Sequence, residues 1–133
     1  MRKQKPTTVI FSAYNDYRDN HSNITRNLKL KDTLTSENIN YKEVVGRYNG
    51  VFEMSLVVNV KDTNELQRIQ ELSDLYDQDC ILHLDANRNA TLLFNDSTKE
   101  TSIGKFQACN EMIAKKLDSY TYCDLNKTYY IIK

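Results

Sequence analysis

Asn49-Gly50 constrains this chain more than any other pair of residues, because it sits between two runs that read as strands, Tyr41 to Tyr48 and Val51 to Val60. Both turn residues accept positive φ, so the pair favours a tight hairpin whose twist matches that of the flanking strands. Side chains alternate along the second run. Phe52, Met54, Leu56, Val58 and Val60 point one way, and Val51, Glu53, Ser55, Val57 and Asn59 point the other. The first set is apolar throughout and belongs against a core. The second is mixed.

The rest of the chain is read outward from this hairpin. Thr8 to Tyr14 is rich in β-branched and aromatic residues and predicts a first strand. A polar turn over 15–20 leads to Ser22, which can cap a helix running to about Ser36, with Ile24, Leu28, Leu30 and Leu34 as a moderate apolar stripe. After the hairpin, Asp62 with Glu65 three positions on has the form of a capping box. Leu66, Ile69, Leu72 and Tyr76 then give a second helix a clear buried face. Cys80 to Leu84 and Ala90 to Phe94 predict a fourth and a fifth strand. Phe106, Cys109, Met112, Ile113 and Leu117 are compatible with one helical face, and Tyr120–Cys123 with Tyr129–Ile132 predicts a closing hairpin.

This order is β-α-β-β-α-β with a β tail, which predicts an α+β, ferredoxin-like fold: an antiparallel sheet with both helices on one face. At 133 residues the chain makes a single domain, 1–133, with 1–6 as a lead-in. Such a sheet leaves its other face bare. That face here carries Val51, Val57 and Ile10 among polar residues, so a second copy of the chain is expected to cover it, with Glu53 at or near the interface.

Charge narrows the function classes. Lys plus Arg is 18 and Asp plus Glu is 18, without the basic surplus usual in a nucleic-acid binder. No nucleic-acid partner is expected. Apolar runs such as Val9 to Phe11 fall far short of the roughly 20 residues that span a bilayer, so no membrane partner is expected either. Met1 to Pro6 is basic but leads into no apolar core, and reads as a solvated segment rather than a signal peptide. Cys80, Cys109 and Cys123 form no CxxC pair, so a structural zinc site is not expected, and an odd thiol count suits a reducing cytoplasm.

Few side chains are left to carry chemistry. His21 falls in a polar loop and His83 within a strand, neither in a nucleophile motif. With only Gly46, Gly50 and Gly104, no glycine-rich phosphate loop can form. Two carboxylates stand out. Glu53 lies inside a strand, where Glu is disfavoured, and Asp79 lies at a helix-to-strand junction. Glu53 also reads as an exposed or interfacial strand residue, and Asp79 as a turn residue at a strand entry. A carboxylate shielded from water suits a cationic ligand such as an amine, a guanidine or a sulfonium.

The segment from Gly46-Arg47-Tyr48 through Glu53-Met54-Ser55 to Lys61-Asp62, followed by an amphipathic helix and Gln78-Asp79-Cys80, resembles the bacteriophage S-adenosylmethionine (SAM) degrading enzymes, called SAM hydrolases and now SAM lyases. Phe11-Ser12-Ala13-Tyr14, Asn23-Ile24-Thr25-Arg26, Phe106-Gln107 and the hairpin from Tyr120 to Ile132 are similar to further parts of that family, and the likeness covers about residues 8–132. The resemblance implies a homotrimer with active sites between subunits, in the cytoplasm of an infected bacterium. It also implies cleavage of SAM, as substrate and with neither a metal nor another cofactor, to 5′-methylthioadenosine and L-homoserine lactone, which would deplete SAM and counter host restriction and methylation.

The resemblance further implies Glu53 as the active-site glutamate and Asp79 as a second carboxylate. Ser12, Tyr14, Asn23, Arg26, Tyr48, Ser55 and Gln78 would bind substrate, while Asn23 also reads as a helix cap and Arg26 as a partner in a surface or interface ion pair. Two other readings share the expected architecture: a non-catalytic, PII-like trimeric module that binds an adenosyl ligand, and a protein-binding anti-defence factor.

Overall fold

The computed structural model describes residues 7–15, 17–48, 50–94, 100–117 and 119–133, with Tyr48 described by its backbone alone. The lead-in 1–6 and Asn49 of the hairpin turn lie outside the described residues. The strands are β1 (Thr7–Phe11), β2 (Lys42–Tyr48), β3 (Val51–Val60), β4 (Cys80–Leu84), β5 (Asn89–Phe94), β6 (Glu100–Cys109), β7 (Tyr120–Cys123) and β8 (Thr128–Ile132). The helices are α1 (Asn20–Ser36), α2 (Thr63–Leu75) and α3 (Glu111–Lys115). Among the described residues, no helix is long and apolar enough to cross a membrane.

Local chemistry sets most of these boundaries. Gly50 turns the β2–β3 hairpin at φ +81°, and Tyr48 pairs with Val51 across it. Asp62 caps α2 by accepting the Glu65 amide at 2.8 Å, and the Glu65 carboxylate accepts the Lys61 amide at 3.3 Å. In α1 the cap is Asp19 rather than Ser22. Its Oδ1 accepts the Ser22 amide at 2.7 Å, so the helix begins at Asn20 and His21 lies exposed in its first turn instead of in a loop.

The ferredoxin-like sheet expected from the element order is not what forms. The strands close into one antiparallel barrel in the order β1-β3-β2-β7-β8-β6-β5-β4, with β4 returning to β1. An open sheet built from β4, β1, β3 and β2 would leave two edges, and the second half of the chain takes both. β5 pairs with β4, and β7 pairs with β2. Closure removes the unpaired N–H and C=O groups that an edge exposes. The face read as bare is the inside of this barrel, covered by the chain's own C-terminal half. The expectation of a second copy over an open face therefore loses its basis.

Strand β6 is where the pattern misled. Phe106 and Cys109 were expected on a helix, but both belong to β6, while Met112, Ile113 and Leu117 stand 72%, 49% and 40% exposed. The register between β5 and β6 shifts at Ala90/Thr91, which breaks the two-residue alternation. Gly104 follows at φ +123°. A Cβ there would lie 2.8 Å from the carbonyl oxygen of Lys133, so glycine lets the end of the chain close against β6. Lys105 and Lys133 exchange both backbone hydrogen bonds at 3.0 and 2.9 Å.

Strand alternation produces two cores. Outside the barrel, Leu30 and Leu34 of α1 and Ile69 and Leu72 of α2 pack on Val9, Leu56 and Val58. Inside it, Ile10, Val44, Leu82, Leu84 and Phe106 meet one another, with Val57 and Tyr130 packed against them. Phe106 stacks on Tyr130 with centroids 4.9 Å apart and planes 10° from parallel. Ile10, Phe106, Thr121 and Tyr130 border two cavities that open at opposite ends of the barrel, one of about 670 Å³ and one of about 400 Å³.

Candidate active site

The larger cavity opens where β1 ends and β3 begins. Glu53 reaches it because it lies two residues from Ser55, which is buried on the inner face, while Leu56 and Val58 face the helices. Directly across the ladder from Glu53 is Gly46, which pairs in turn with Thr121, and Thr121 pairs with Tyr130. The cross-strand neighbour of the glutamate on β2 therefore has no side chain. Asp79 enters the same mouth just before β4. Its negative charge adds to burial in holding the neighbouring Cys80 thiol above its ordinary pKa, burial being the larger cause.

The loop after β1 is fastened to this rim. Ser12 donates from Oγ to the Met54 carbonyl at 2.7 Å and accepts the Tyr14 amide at 2.9 Å, fixing the chain beside Glu53. Gln78 donates from Nε2 to the Tyr14 carbonyl at 2.8 Å. Buried Asn23 brackets Asn15, accepting its N–H and donating to its C=O, both at 2.9 Å. Arg26 donates from Nε to the Ala13 carbonyl at 2.9 Å and from Nη2 to the Tyr76 carbonyl, with its guanidinium over the Tyr76 ring. Tyr14 has its phenol held above the ordinary value by burial first, then by Glu43, with Lys31 opposing, and then by Glu53.

Of the residues expected at a site, Glu53, Asp79, Ser12, Ser55 and Gln78 line one cavity. Asn23 and Arg26 do not line it and instead hold the loop that carries Ser12 and Tyr14. Tyr14 joins them through backbone bonds and the field of Glu53. Tyr48 pairs with Val51 at the hairpin, and its side chain lies outside the described residues.

The opposite wall comes from the C-terminal half, through Ile103, Phe106, Tyr120 and Tyr130. Nothing in the local pattern of these residues shows that they face Glu53, because the β2–β7 pairing that brings them there is long-range. Among the described residues, no group of three or more His, Cys, Asp or Glu side chains is placed to hold a metal ion.

The charged side chains among the described lining residues are Glu53 and Asp79, both acidic, set against aromatic and aliphatic walls. A mouth of this kind favours a ligand that pairs a cationic centre with a flat apolar body. Comparison with known proteins points the same way. No curated protein matches the chain closely enough to count as a relative. The model of the S-adenosylmethionine lyase family matches residues 9–133, nearly the full length. The chain thus belongs to the S-adenosylmethionine lyase family and is an enzyme that acts on SAM.

Proposed function

We propose that the acidic mouth binds SAM and splits it into 5′-methylthioadenosine and L-homoserine lactone. The observation that carries this reading is the pair Glu53 and Asp79 in a cavity with aromatic walls and no cationic side chain among its described lining residues. A carboxylate oxygen of the substrate attacks its own γ-carbon. The bond from that carbon to sulfur breaks, its electron pair stays on sulfur, and the sulfonium becomes a neutral thioether. No water is consumed and no general base is needed. Nucleophile and electrophile share one molecule, so the protein's task is to hold a folded conformer.

Glu53 is best used on the substrate ammonium. That group keeps its charge throughout, so pairing with it fixes the amino-acid end without opposing the loss of charge at sulfur. Phe106 and Tyr120 supply apolar surface on which a cation and an anion neutralise each other more readily than in water. Asp79, more exposed at the rim, adds attraction for the incoming cation. Ser12, Ser55 and Gln78 offer polar contacts on the same wall.

Self-association belongs to the same reading. Val51 and Phe52, at the hairpin tip beside Glu53, are 48% and 60% exposed, and other copies in a homotrimer would cover them. In an infected bacterium, the consequence would be loss of SAM for restriction and methylation.

The test is incubation with SAM followed by chromatography. Wild type is expected to release 5′-methylthioadenosine, with heavy-oxygen water leaving freshly formed lactone unlabelled. Binding of SAM without release would make the protein a sensor, and early label in homoserine that lactone opening cannot explain would make it a hydrolase. Light scattering that shows a monomer at every concentration would remove the trimer.

A further inference from the structure

The smaller cavity, at the other end of the barrel, has the opposite character. Lys42, Lys61 and Arg88 border it, against one carboxylate, Glu65. That carboxylate is already engaged, accepting the Lys61 amide at 3.3 Å and lying 3.8 Å from the Lys61 ammonium. Among the described residues, neither Lys42 nor Arg88 has an ion-pair partner. Of the acids that flank these elements, Glu43 pairs with Lys31 at 2.6 Å and Asp124 with Lys127 at 2.8 Å, while Asp85, which keeps its charge, accepts the amides of Asn87 and Asn89. The lining of a formed concavity therefore carries three cations against one carboxylate.

The polar lining is also oriented. Thr8 donates from Oγ1 to Asn59 Oδ1 at 3.1 Å, and the amide nitrogen of Asn59, an exposed lining residue, has no acceptor among the described residues. Asn126 accepts the Thr128 amide at 3.1 Å and donates to the Tyr130 hydroxyl at 3.2 Å, fixing the ring that stacks on Phe106. Tyr41 adds a second aromatic edge, with the amides of Asn38 and Asn40 at the rim. Cations select phosphate, amides read the edge of a base, and aromatic rings pack on its face. A volume of about 400 Å³ is within the range of small-ligand sites.

From this we infer that the basic mouth is a second binding site, separate from the acidic one, for a phosphorylated nucleoside. The inference rests on the barrel geometry and does not require the proposed lyase chemistry.

Calorimetric titration with adenosine 5′-monophosphate, adenosine and inorganic phosphate tests it on the intact chain. The monophosphate is expected to bind saturably, at least tenfold more tightly than either adenosine or phosphate, and more weakly as salt rises. Arg88→Gly removes the guanidinium at a position whose φ is +68°, where glycine is favoured, so the fold is kept. Lys42→Gln does the same on an exposed strand position. Each variant is expected to weaken monophosphate binding about fivefold to tenfold while SAM binding stays unchanged. Absence of saturable binding, binding that both variants leave intact, or phosphate alone binding as tightly as the monophosphate would overturn the inference. Loss of SAM turnover in wild type would not touch it.

Discussion

The two mouths of the barrel are built from the same strands and share a floor, yet they carry opposite charge. β3 runs from Glu53 in the acidic mouth to Asn59 in the basic one, and β2 brings Lys42 to the basic end and Gly46 to the acidic end. A formal net charge of zero therefore conceals a separation of charge along the barrel axis. What selects a ligand is the sign and shape of each mouth, because field lines concentrate in a low-dielectric cleft while distant charges are screened.

The largest expected effect is at the shared floor. Phe106→Ala removes a buried ring stacked on Tyr130, and should cost roughly 3–5 kcal/mol of stability, read by chemical denaturation. A cost near zero would mean that the two cavities are not separated by a packed floor.

Glu53→Gln sets the mouths apart next. It should lower kcat/KM for methylthioadenosine release by about a hundredfold, a loss that misplacing a substrate by about 1 Å can cause. Arg88→Gly should leave it within about twofold. Equal losses in both variants would erase the contrast. Asp79→Asn, at an exposed rim position, is expected to raise KM for SAM by only about threefold to fivefold with little change in kcat, since an exposed charge is screened.

The smallest effect lies outside both cavities. Burial holds His83 below its ordinary pKa on β4, with Asp85 and Glu100 opposing, and its Nε2 lies 3.0 Å from Thr7 Oγ1. The unfolded chain therefore takes up this proton first. The contribution is full above the unfolded value of 6.5 and falls away as pH drops from there through the depressed folded value. Melting temperatures at pH 7.5 and 5.5 should show a smaller drop for His83→Gln than for wild type. A drop of equal size would move the acid sensitivity elsewhere.

Much of the local structure is readable from the chain. The Asp62–Glu65 cap, the glycine of the β2–β3 turn and the alternation of β3 follow from contacts within a few residues, where propensity and geometry act directly. The start of α1 was misplaced because Asp19, Ser22 and Asn23 all compete as caps, and only the direction of each side chain decides among them. Asp19 turns to the Ser22 amide, whereas Asn23 turns to Asn15. β6 was hidden by its own irregularity, since a register shift followed by Gly104 gives Phe106 and its neighbours no clean period of two.

The candidate site divides in the same way. Residue order alone places Glu53 on the strand face opposite Leu56 and Val58 and Asp79 at the entry to β4, because a strand alternates strictly. It does not say what that face meets. Whether the face is bare, covered by another copy or rolled into a barrel depends on pairings such as Gly46 with Thr121, some 75 residues apart in the chain, and on β5 joining β4. Those pairings answer the demand that every strand edge be satisfied, a demand on the whole molecule that no local pattern encodes. The alternation of side chains was thus written in the chain, and the closure that turned one mixed face into two oppositely charged mouths came from the packing of distant segments.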